Sequence, residues 1–184
     1  MFFRFMVFSL AIVFSLSADA QNRIRWNSWD KFNEKVQKAD KMYIIYVYFN
    51  GCRWCKKMED ETFAVDNIAK FINSNFYAFR LNAKTNERII YGNKVYNTTV
   101  RIGEHDFNEF AVDLLNGKMS FPSILFFDEN FKKLAVYDSF IDLNDFEMLL
   151  SYYAGGHNKH TSWPRYVRGY CKDNHFNTLV NGKP

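Results

Sequence analysis

The sequence predicts an α/β domain with a central mixed β-sheet flanked by helices. Three observations carry this prediction. Residues 42–81 have the pattern of strand, helix and strand in succession, which is a βαβ unit with parallel strands. Residues 121–137 contain two apolar segments separated by a short polar turn, which predicts an antiparallel pair. Amphipathic segments that start near residues 106 and 142 predict helices that cover the sheet.

The composition fits one folded domain and argues against two other classes. The chain has 184 residues, of which 48% are apolar and 19% aromatic, so it can bury a sizeable core and is not disordered by composition. The net charge is +4, and no run of five or more Lys or Arg residues occurs. We therefore expect no nucleic-acid partner.

The first 20 residues have the pattern of an export signal. Arg4 precedes an apolar segment at residues 5–16, and Ala18-Asp19-Ala20 provides small residues at both positions of an A-x-A cleavage site. The apolar segment is shorter than the ~20 residues that span a bilayer. We expect cleavage before Gln21 and a periplasmic or secreted protein without a membrane span; an uncleaved anchor is the alternative. The predicted organisation is a signal peptide at 1–20, a domain at 21–156 and a C-terminal extension at 157–184.

The first half of the domain is predicted to form helix, strand, helix and strand. Trp29, Phe32 and Val36 recur at helical spacing, which predicts a first helix at residues 28–39. Residues 42–49 are apolar, β-branched or aromatic throughout, as in a strand that is buried on both faces. Helices are then predicted at residues 52–61 and 66–71, and the second strand at residues 76–81.

The segment after the second strand is the least regular part of the sequence. Residues 88–96 are expected to form a hairpin that turns at Gly92-Asn93. Asp106, followed three residues later by Glu109, is typical of a helix N-terminus. A helix is therefore predicted to begin at Asp106 and to end at Gly117.

The chain from residue 121 to Gly155-Gly156 is predicted to form the remaining two strands and the last helix. Residues 121–127 are predicted to form a strand that Pro122 opens, and residues 131–137 to return antiparallel. The last helix is expected to start at Asp142 or Asn144 and to end near Gly155-Gly156.

Three cysteines are present, and two of them lie close together in the sequence. Cys52 and Cys55 are three residues apart in the first turn of a predicted helix, so they share one face and can form a disulfide. Unpaired helix N–H groups near Cys52 stabilise its thiolate, the nucleophile of thiol–disulfide exchange. We expect Cys52 to attack a partner disulfide and Cys55 to resolve the mixed disulfide, with no cofactor. The alternative is a locked disulfide or half of a metal site.

Three neighbours of the cysteines are further candidates for this site. Arg53, together with the two lysines after Cys55, adds positive charge that favours the thiolate. Glu59 lies one helical turn after Cys55 and could accept its proton; a solvent-exposed helix residue is the alternative. Trp54 either contacts substrate or packs in the core.

Pro122 indicates either a cis peptide bond or a simple strand start. Proline is rare inside a sheet unless it serves a turn or a cis bond. A cis bond would leave the Phe121 backbone available to pair with an extended peptide. We expect Pro122 to belong to the catalytic site and Phe121, Trp54 and Arg53 to bind substrate; an ordinary trans-proline is the alternative.

The order of elements, Cys52-Arg53-Trp54-Cys55 and Phe121-Pro122 resemble the thioredoxin superfamily. More narrowly, residues 51–59, 62–63 and 76–82 resemble the secreted thioredoxin-like branch with C-x-W-C motifs and are similar to the C-terminal domain of DsbD. The resemblance covers residues 26–156. It implies a thioredoxin fold, Cys52 as the attacking thiol, Cys55 as the resolving thiol, Pro122 as the cis-proline and a place for Glu59 beside the active site.

Three departures from the family pattern affect the expected chemistry. Thioredoxins carry a buried Asp six residues before the first cysteine, where Tyr46 stands here. They also carry Gly-Pro between the cysteines, where Arg53-Trp54 stands, and Trp before them, where Gly51 stands. Without the buried Asp, Cys55 has less help in losing its proton, and Glu59 is the residue that could compensate.

These observations predict an exported thiol–disulfide oxidoreductase that acts on protein disulfides. We favour a reductase that receives electrons from a membrane donor. The main rival is a redox-inactive peptide-binding or chaperone module on the same fold, and a third reading is a metal-binding accessory protein. Near the C-terminus the residue types and the spacings at both ends could hold zinc, but the central gap fits no known signature, so we expect no metal site. The residues concerned are His157, His160, Cys171 and His175.

Overall fold

The computed structural model describes residues 23–32, 35, 38 and 40–172, and for residues 171 and 172 the backbone alone. The predicted export signal at residues 1–20 lies outside these residues, as does the end of the C-terminal extension. The predicted first helix is described only in part, and it begins with a 3-10 turn at Trp29–Lys31.

The strands in the described part of the chain fall into one central sheet and two small hairpins. In chain order they are β1 (Met42–Tyr48), β2 (Phe76–Asn82), β3 (Ile89–Tyr91), β4 (Lys94–Tyr96), β5 (Thr99–Ile102), β6 (His105–Asn108), β7 (Ser123–Phe127) and β8 (Lys133–Tyr137).

The central sheet has the strand order β2-β1-β7-β8. β1 and β2 are parallel, with Met42 opposite Phe76 and Tyr48 opposite Asn82. β7 runs antiparallel to β1, and β8 runs antiparallel to β7. The predicted mixed sheet is therefore confirmed, with the βαβ unit on one side and the antiparallel pair on the other.

Helices lie on both faces of this sheet. They are α1 (Arg53–Met58), α2 (Asp66–Asn75), α3 (Glu109–Leu114), α4 (Leu143–Ala154) and α5 (Trp163–Lys172). α1 continues into a π-helical turn at Glu59–Phe63. α4 begins after Asp142, whose side chain accepts a hydrogen bond from the Asp145 N–H at 2.9 Å. Of the two predicted start positions, Asp142 and Asn144, Asp142 is thus the N-cap.

The core has two layers, and β1 contributes to both. Ile44 and Tyr46 face the layer under α1, α2 and α4. Tyr43, Ile45 and Val47 face the layer under α3 and the hairpins. Because successive side chains of a strand point to opposite faces, the unbroken apolar run of β1 is what a doubly covered strand needs.

The segment between β2 and α3 differs in part from the prediction. The hairpin of β3 and β4 turns at Gly92-Asn93 as predicted, since Tyr91 pairs with Lys94. A second hairpin, of β5 and β6, was not predicted, and Asp106 lies in its second strand instead of starting a helix. The N-cap of α3 is Asn108, whose side chain accepts from the Phe110 N–H at 2.9 Å.

The first part of the C-terminal extension is helical. α5 packs against α4 through aromatic rings, with the ring centres of Tyr152 and Trp163 5.2 Å apart and those of Tyr152 and Tyr166 5.0 Å apart. This helix was not predicted from the sequence. In the part of the chain that the structure describes, no helix combines the length and apolar character needed to cross a membrane.

Candidate active site

The two cysteines lie where β1 passes into α1. After β1 ends at Tyr48, Gly51 has a φ of 89°, a conformation that glycine adopts without strain. The turn at Gly51 leads directly to Cys52, the N-cap of α1. Cys52 and Cys55 form a disulfide with an S–S distance of 2.05 Å. The predicted pairing of these two residues is therefore present.

The two sulfurs are not equivalent. Cys52 Sγ accepts a hydrogen bond from the backbone N–H of Cys55 at 3.1 Å. This N–H belongs to the first turn of the helix, where backbone donors lack an intrahelical partner, and the same contact stabilises a thiolate at Cys52. Cys52 is 8% exposed and Cys55 is 2% exposed. Cys52 is therefore the more accessible residue of the pair.

Tyr46 connects the cysteine pair to Glu59. Its ring is buried in the core, and its hydroxyl donates towards Glu59 Oε1 at 3.2 Å and the Cys55 carbonyl oxygen at 3.3 Å. Burial, and then the adjacent Glu59 carboxylate, raise the pKa of Tyr46, so the hydroxyl stays protonated and acts as a donor. The position of the expected buried acid thus holds a neutral donor, which fixes a carboxylate one helical turn from Cys55.

A cleft of about 600 Å³ opens beside Glu59. Its lining includes the rings of Trp26, Tyr46 and Phe63 and the charged side chains of Glu59 and Arg80. Glu59 is half-buried and contacts both the cleft and the Tyr46 hydroxyl. A proton received by this carboxylate can therefore pass to solvent through the cleft. Glu59 is thus partly shielded from solvent, between the buried position expected for a proton acceptor and the exposed position of the alternative.

Pro122 lies at the same end of the sheet as the cysteines. The Phe121–Pro122 peptide bond is cis, as expected. The strand begins two residues later than predicted, at Ser123, which pairs with Val47 near the end of β1. The Ser123 hydroxyl also donates to the Ser120 carbonyl at 2.7 Å, which ties the loop before the proline to the start of β7.

Trp54 lies on the surface between the two cysteines. Its side chain is 54% exposed, so the alternative that it packs in the core is wrong. The ring packs against Phe140 at a centroid distance of 5.8 Å. The Lys57 ammonium lies 5.6 Å from the Trp54 ring centre and 5.0 Å from that of Phe140. An exposed aromatic surface with an attached cation therefore adjoins the disulfide.

The positive charge around Cys52 is smaller than the sequence predicted. Lys56 pairs with Asp60, and Lys57 Nζ lies 3.5 Å from Glu61 Oε2, both as i,i+4 pairs on the helix surface. Arg53 is exposed and has no ion-pair partner among the described residues. The unbalanced charge beside Cys52 is therefore that of Arg53.

Tyr46 and Phe140 contribute to the site, but the sequence did not predict either contribution. A tyrosine in a buried strand needs a partner for its hydroxyl, and this general requirement is the signal that could have identified the role of Tyr46. Phe140 lies in the loop after β8, far along the chain from Trp54. No local pattern identifies a contact of that kind.

The histidines considered as zinc ligands do not come together in the described residues. The His157 ring packs against Tyr166 with centroids 4.9 Å apart. His175 and the Cys171 side chain lie outside the described part of the chain. Over the residues that the structure does describe, no group of three or more His, Cys, Asp or Glu side chains is placed to hold a metal ion.

Comparison with known proteins gives a short sequence match and a longer structural one. Spermatogenesis-associated protein 20 of Mus musculus is 29% identical over 83 residues, which are 45% of this chain and 10% of that protein. The match therefore spans about a tenth of the relative's length. A thioredoxin-fold protein from Helicobacter pylori has a TM-score of 0.56 at 16% identity, over 78% of this chain and 87% of that chain. The oxidised C-terminal domain of DsbD from Neisseria meningitidis has a TM-score of 0.43 at 12% identity, over 72% and 97% respectively.

The family assignment follows from the sequence model and the fold together. The Helicobacter pylori structure supports the fold alone, because its identity to this chain is low. The family model for thioredoxin-like domains matches residues 30–154, which is more than half of the chain. The resemblance noted in the sequence is thereby confirmed, and the chain belongs to the thioredoxin-like domain family.

Proposed function

We propose that this protein is an exported thiol–disulfide oxidoreductase that reduces disulfides in protein partners. The observation that carries the proposal is the Cys52–Cys55 disulfide at the start of α1, in which the sulfur of the more exposed cysteine accepts a backbone hydrogen bond. The cis-proline at the same end of the sheet and the carboxylate of Glu59 support it.

The first step is attack by the reduced protein. The Cys52 thiolate forms a bond to one sulfur of the partner disulfide, the partner's own S–S bond breaks, and the other partner sulfur leaves as a thiolate that takes a proton from water. The Cys55 N–H stabilises Cys52 before the attack. Trp54, Arg53 and the Phe121 backbone beside Pro122 hold the partner segment.

The second step releases the reduced partner. The Cys55 thiol gives its proton to Glu59, which Tyr46 holds in place, and attacks Cys52 Sγ. The Cys52–Cys55 bond forms as the mixed disulfide breaks, and the second partner sulfur leaves and is protonated. The partner gains two electrons and the protein loses two. A dithiol donor must then reduce the Cys52–Cys55 disulfide, and we place this donor in the membrane.

Export is the part of the proposal that rests on sequence alone. The pattern at residues 1–20 predicts a cleaved signal, and an oxidising compartment is where protein disulfides form and persist as substrates. The domain at 21–156 and the extension at 157–184 would both belong to the mature protein.

The test is the redox equilibrium of the full chain in glutathione buffers, with thiols trapped and counted by mass. We expect one reversible two-electron couple at Cys52 and Cys55. A reduction potential of about −270 mV would support a reductase, whereas one of about −120 mV would indicate an oxidant. Cys55→Ser should accumulate a mixed disulfide at Cys52, and the matched variant Cys52→Ser should not. The absence of any reversible couple would refute exchange and favour the redox-inactive peptide-binding module.

A further inference from the structure

Three aromatic rings form a wall beside the cis-proline. We call Phe49, Phe107 and Phe121 the aromatic wall. Phe121 packs edge-on against Phe49 with centroids 5.1 Å apart, and it stacks against Phe107 at 5.8 Å. Phe49 and Phe121 are half-buried and remain accessible, whereas Phe107 is buried behind them. Phe107 comes from β6, so the irregular segment between β2 and α3 contributes to the surface next to Pro122.

A lysine from the same segment covers this wall. The Lys84 ammonium lies 4.7 Å from the Phe49 ring centre and 5.8 Å from that of Phe107. Lys84 is exposed, and its charge has no carboxylate partner among the described residues. An ammonium held over a ring keeps its charge available to a second, anionic group, because the ring supplies no formal negative charge.

Apart from Glu59, whose carboxylate accepts a hydrogen bond from the Tyr46 hydroxyl, the carboxylates nearest the disulfide along the chain are already paired. Asp60 and Glu61 pair with lysines of α1, and Asp138, near Phe140, pairs with Lys118. Arg53 and Lys84 are cations that lack such a partner within the described chain. The surface around the cysteines therefore presents accessible rings together with two cations, Arg53 and Lys84, that no described carboxylate pairs with.

We propose that the partner segment bound at this site is an extended acidic peptide stretch, with an apolar side chain on the aromatic wall and carboxylates beside Lys84 and Arg53. This inference rests on the proposed exchange function and adds the chemical class of its substrate. Charge complementarity selects the partner, because carboxylates gain two unpaired cations here, whereas a basic segment is repelled by them.

The test compares two disulfide-closed peptides that differ only in flanking glutamates or lysines. The rate of oxidation of the reduced full-length protein is measured with each peptide, at low salt and in about 0.5 M NaCl. We expect the acidic peptide to react about tenfold faster at low salt, with the ratio falling towards one at high salt. Lys84→Glu should lower the ratio at least about threefold. Lys132→Glu, at an exposed position beyond the opposite end of β7, should leave the ratio unchanged.

The outcomes separate this inference from the proposed function. Equal rates for the two peptides, a faster basic peptide, or the same effect from Lys84→Glu and Lys132→Glu would overturn the acidic-partner inference. So would a lack of reaction with either peptide in a protein whose cysteine pair equilibrates with glutathione. A cysteine pair that does not equilibrate with glutathione would instead overturn the proposed function, and this inference with it.

Discussion

Tyr46 serves the site through a single hydroxyl at the end of a buried ring. The ring packs edge-on against Phe63 at 5.0 Å and stacks on Tyr48 at 5.2 Å, so the hydroxyl is held next to Glu59. A carboxylate at the position of Tyr46 would place a charge in the core, which is costly unless it is paired. With Tyr46 there, the carboxyl group next to this position is that of Glu59, which borders a cleft that solvent enters.

Glu59→Gln tests whether this carboxylate takes the proton of Cys55. The substitution keeps the size of the side chain and removes its capacity to accept a proton. We expect the attack of Cys55 on the mixed disulfide to slow by at least about tenfold near pH 7. The difference should shrink at about pH 9, where thiols ionise without assistance. The measurement is the release of a partner thiol from a mixed disulfide preformed on Cys52.

Two further variants give this experiment its controls. Tyr46→Phe keeps the carboxylate but removes the donor that holds it, so we expect a smaller loss with the same pH trend. Glu61→Gln makes the same chemical change two residues further on, at an exposed carboxylate paired with Lys57, and should leave the rate unchanged. A loss in Glu59→Gln that did not depend on pH would contradict the role of Glu59 as a proton acceptor.

Asn108 joins the segment between β2 and α3 to the rest of the domain. Its side-chain oxygen accepts from the Phe110 N–H and caps α3, while its amide donates to the carbonyls of Thr85 at 3.2 Å and Glu87 at 3.4 Å. The residue is 1% exposed. Lys84, which lies over the aromatic wall, immediately precedes Thr85. The Asn108 side chain therefore also fixes the backbone next to Lys84.

Asn108→Ala is expected to lower the free energy of unfolding by about 1–3 kcal/mol. The loss combines a helix cap, worth about 1 kcal/mol, with two carbonyl groups that lose a donor. Urea unfolding followed by circular dichroism measures it. Asn108→Asp keeps the cap but sets a carboxylate against two carbonyl oxygens, so it should also destabilise the protein. Asn97→Ala, at an exposed position, is the control, and an equal loss there would contradict the argument.

Local sequence signals explain why α3 was predicted to begin at Asp106, although its N-cap is Asn108. Asp106 and Asn108 are both favourable N-cap residues, and Glu109 follows each within three positions. What separates them is the pairing of β5 with β6, which sets Thr99 opposite Asn108 and Arg101 opposite Asp106. Cross-strand pairing of this kind depends on residues several positions away, so a window around Asp106 does not contain the deciding information.

At the scale of the molecule, the features that could be predicted from the sequence are those whose pattern is continuous along the chain. The apolar run of β1 and the spacing of Cys52 and Cys55 predicted the sheet and the redox pair, because each is a local pattern. The aromatic wall was not predictable, since Phe49, Phe107 and Phe121 come from three separate segments. The surface that we propose to bind the partner is therefore the part of this site that could be identified only from the fold.

Buried tyrosines link the stability of the whole molecule to alkaline pH. Burial raises the pKa of Tyr137 and Tyr153, and it raises that of Tyr166 to about 12. In the unfolded chain tyrosine ionises near a pKa of about 10. Above that pH the unfolded chain holds fewer protons than the folded one, so the free energy of unfolding decreases as pH rises.

We expect the contribution of these tyrosines to the free energy of unfolding to be constant up to about pH 9 and to decline above about pH 10. Tyr153→Phe should lower stability at pH 8 by about 1 kcal/mol, because the Tyr137 hydroxyl loses a partner at 3.0 Å. The same variant should show a shallower alkaline decline, since one buried ionisable hydroxyl is gone. Urea unfolding at each pH gives the decline, and absorbance near 295 nm gives the ionisation. An unchanged decline in Tyr153→Phe would show that groups other than this buried tyrosine set the alkaline limit.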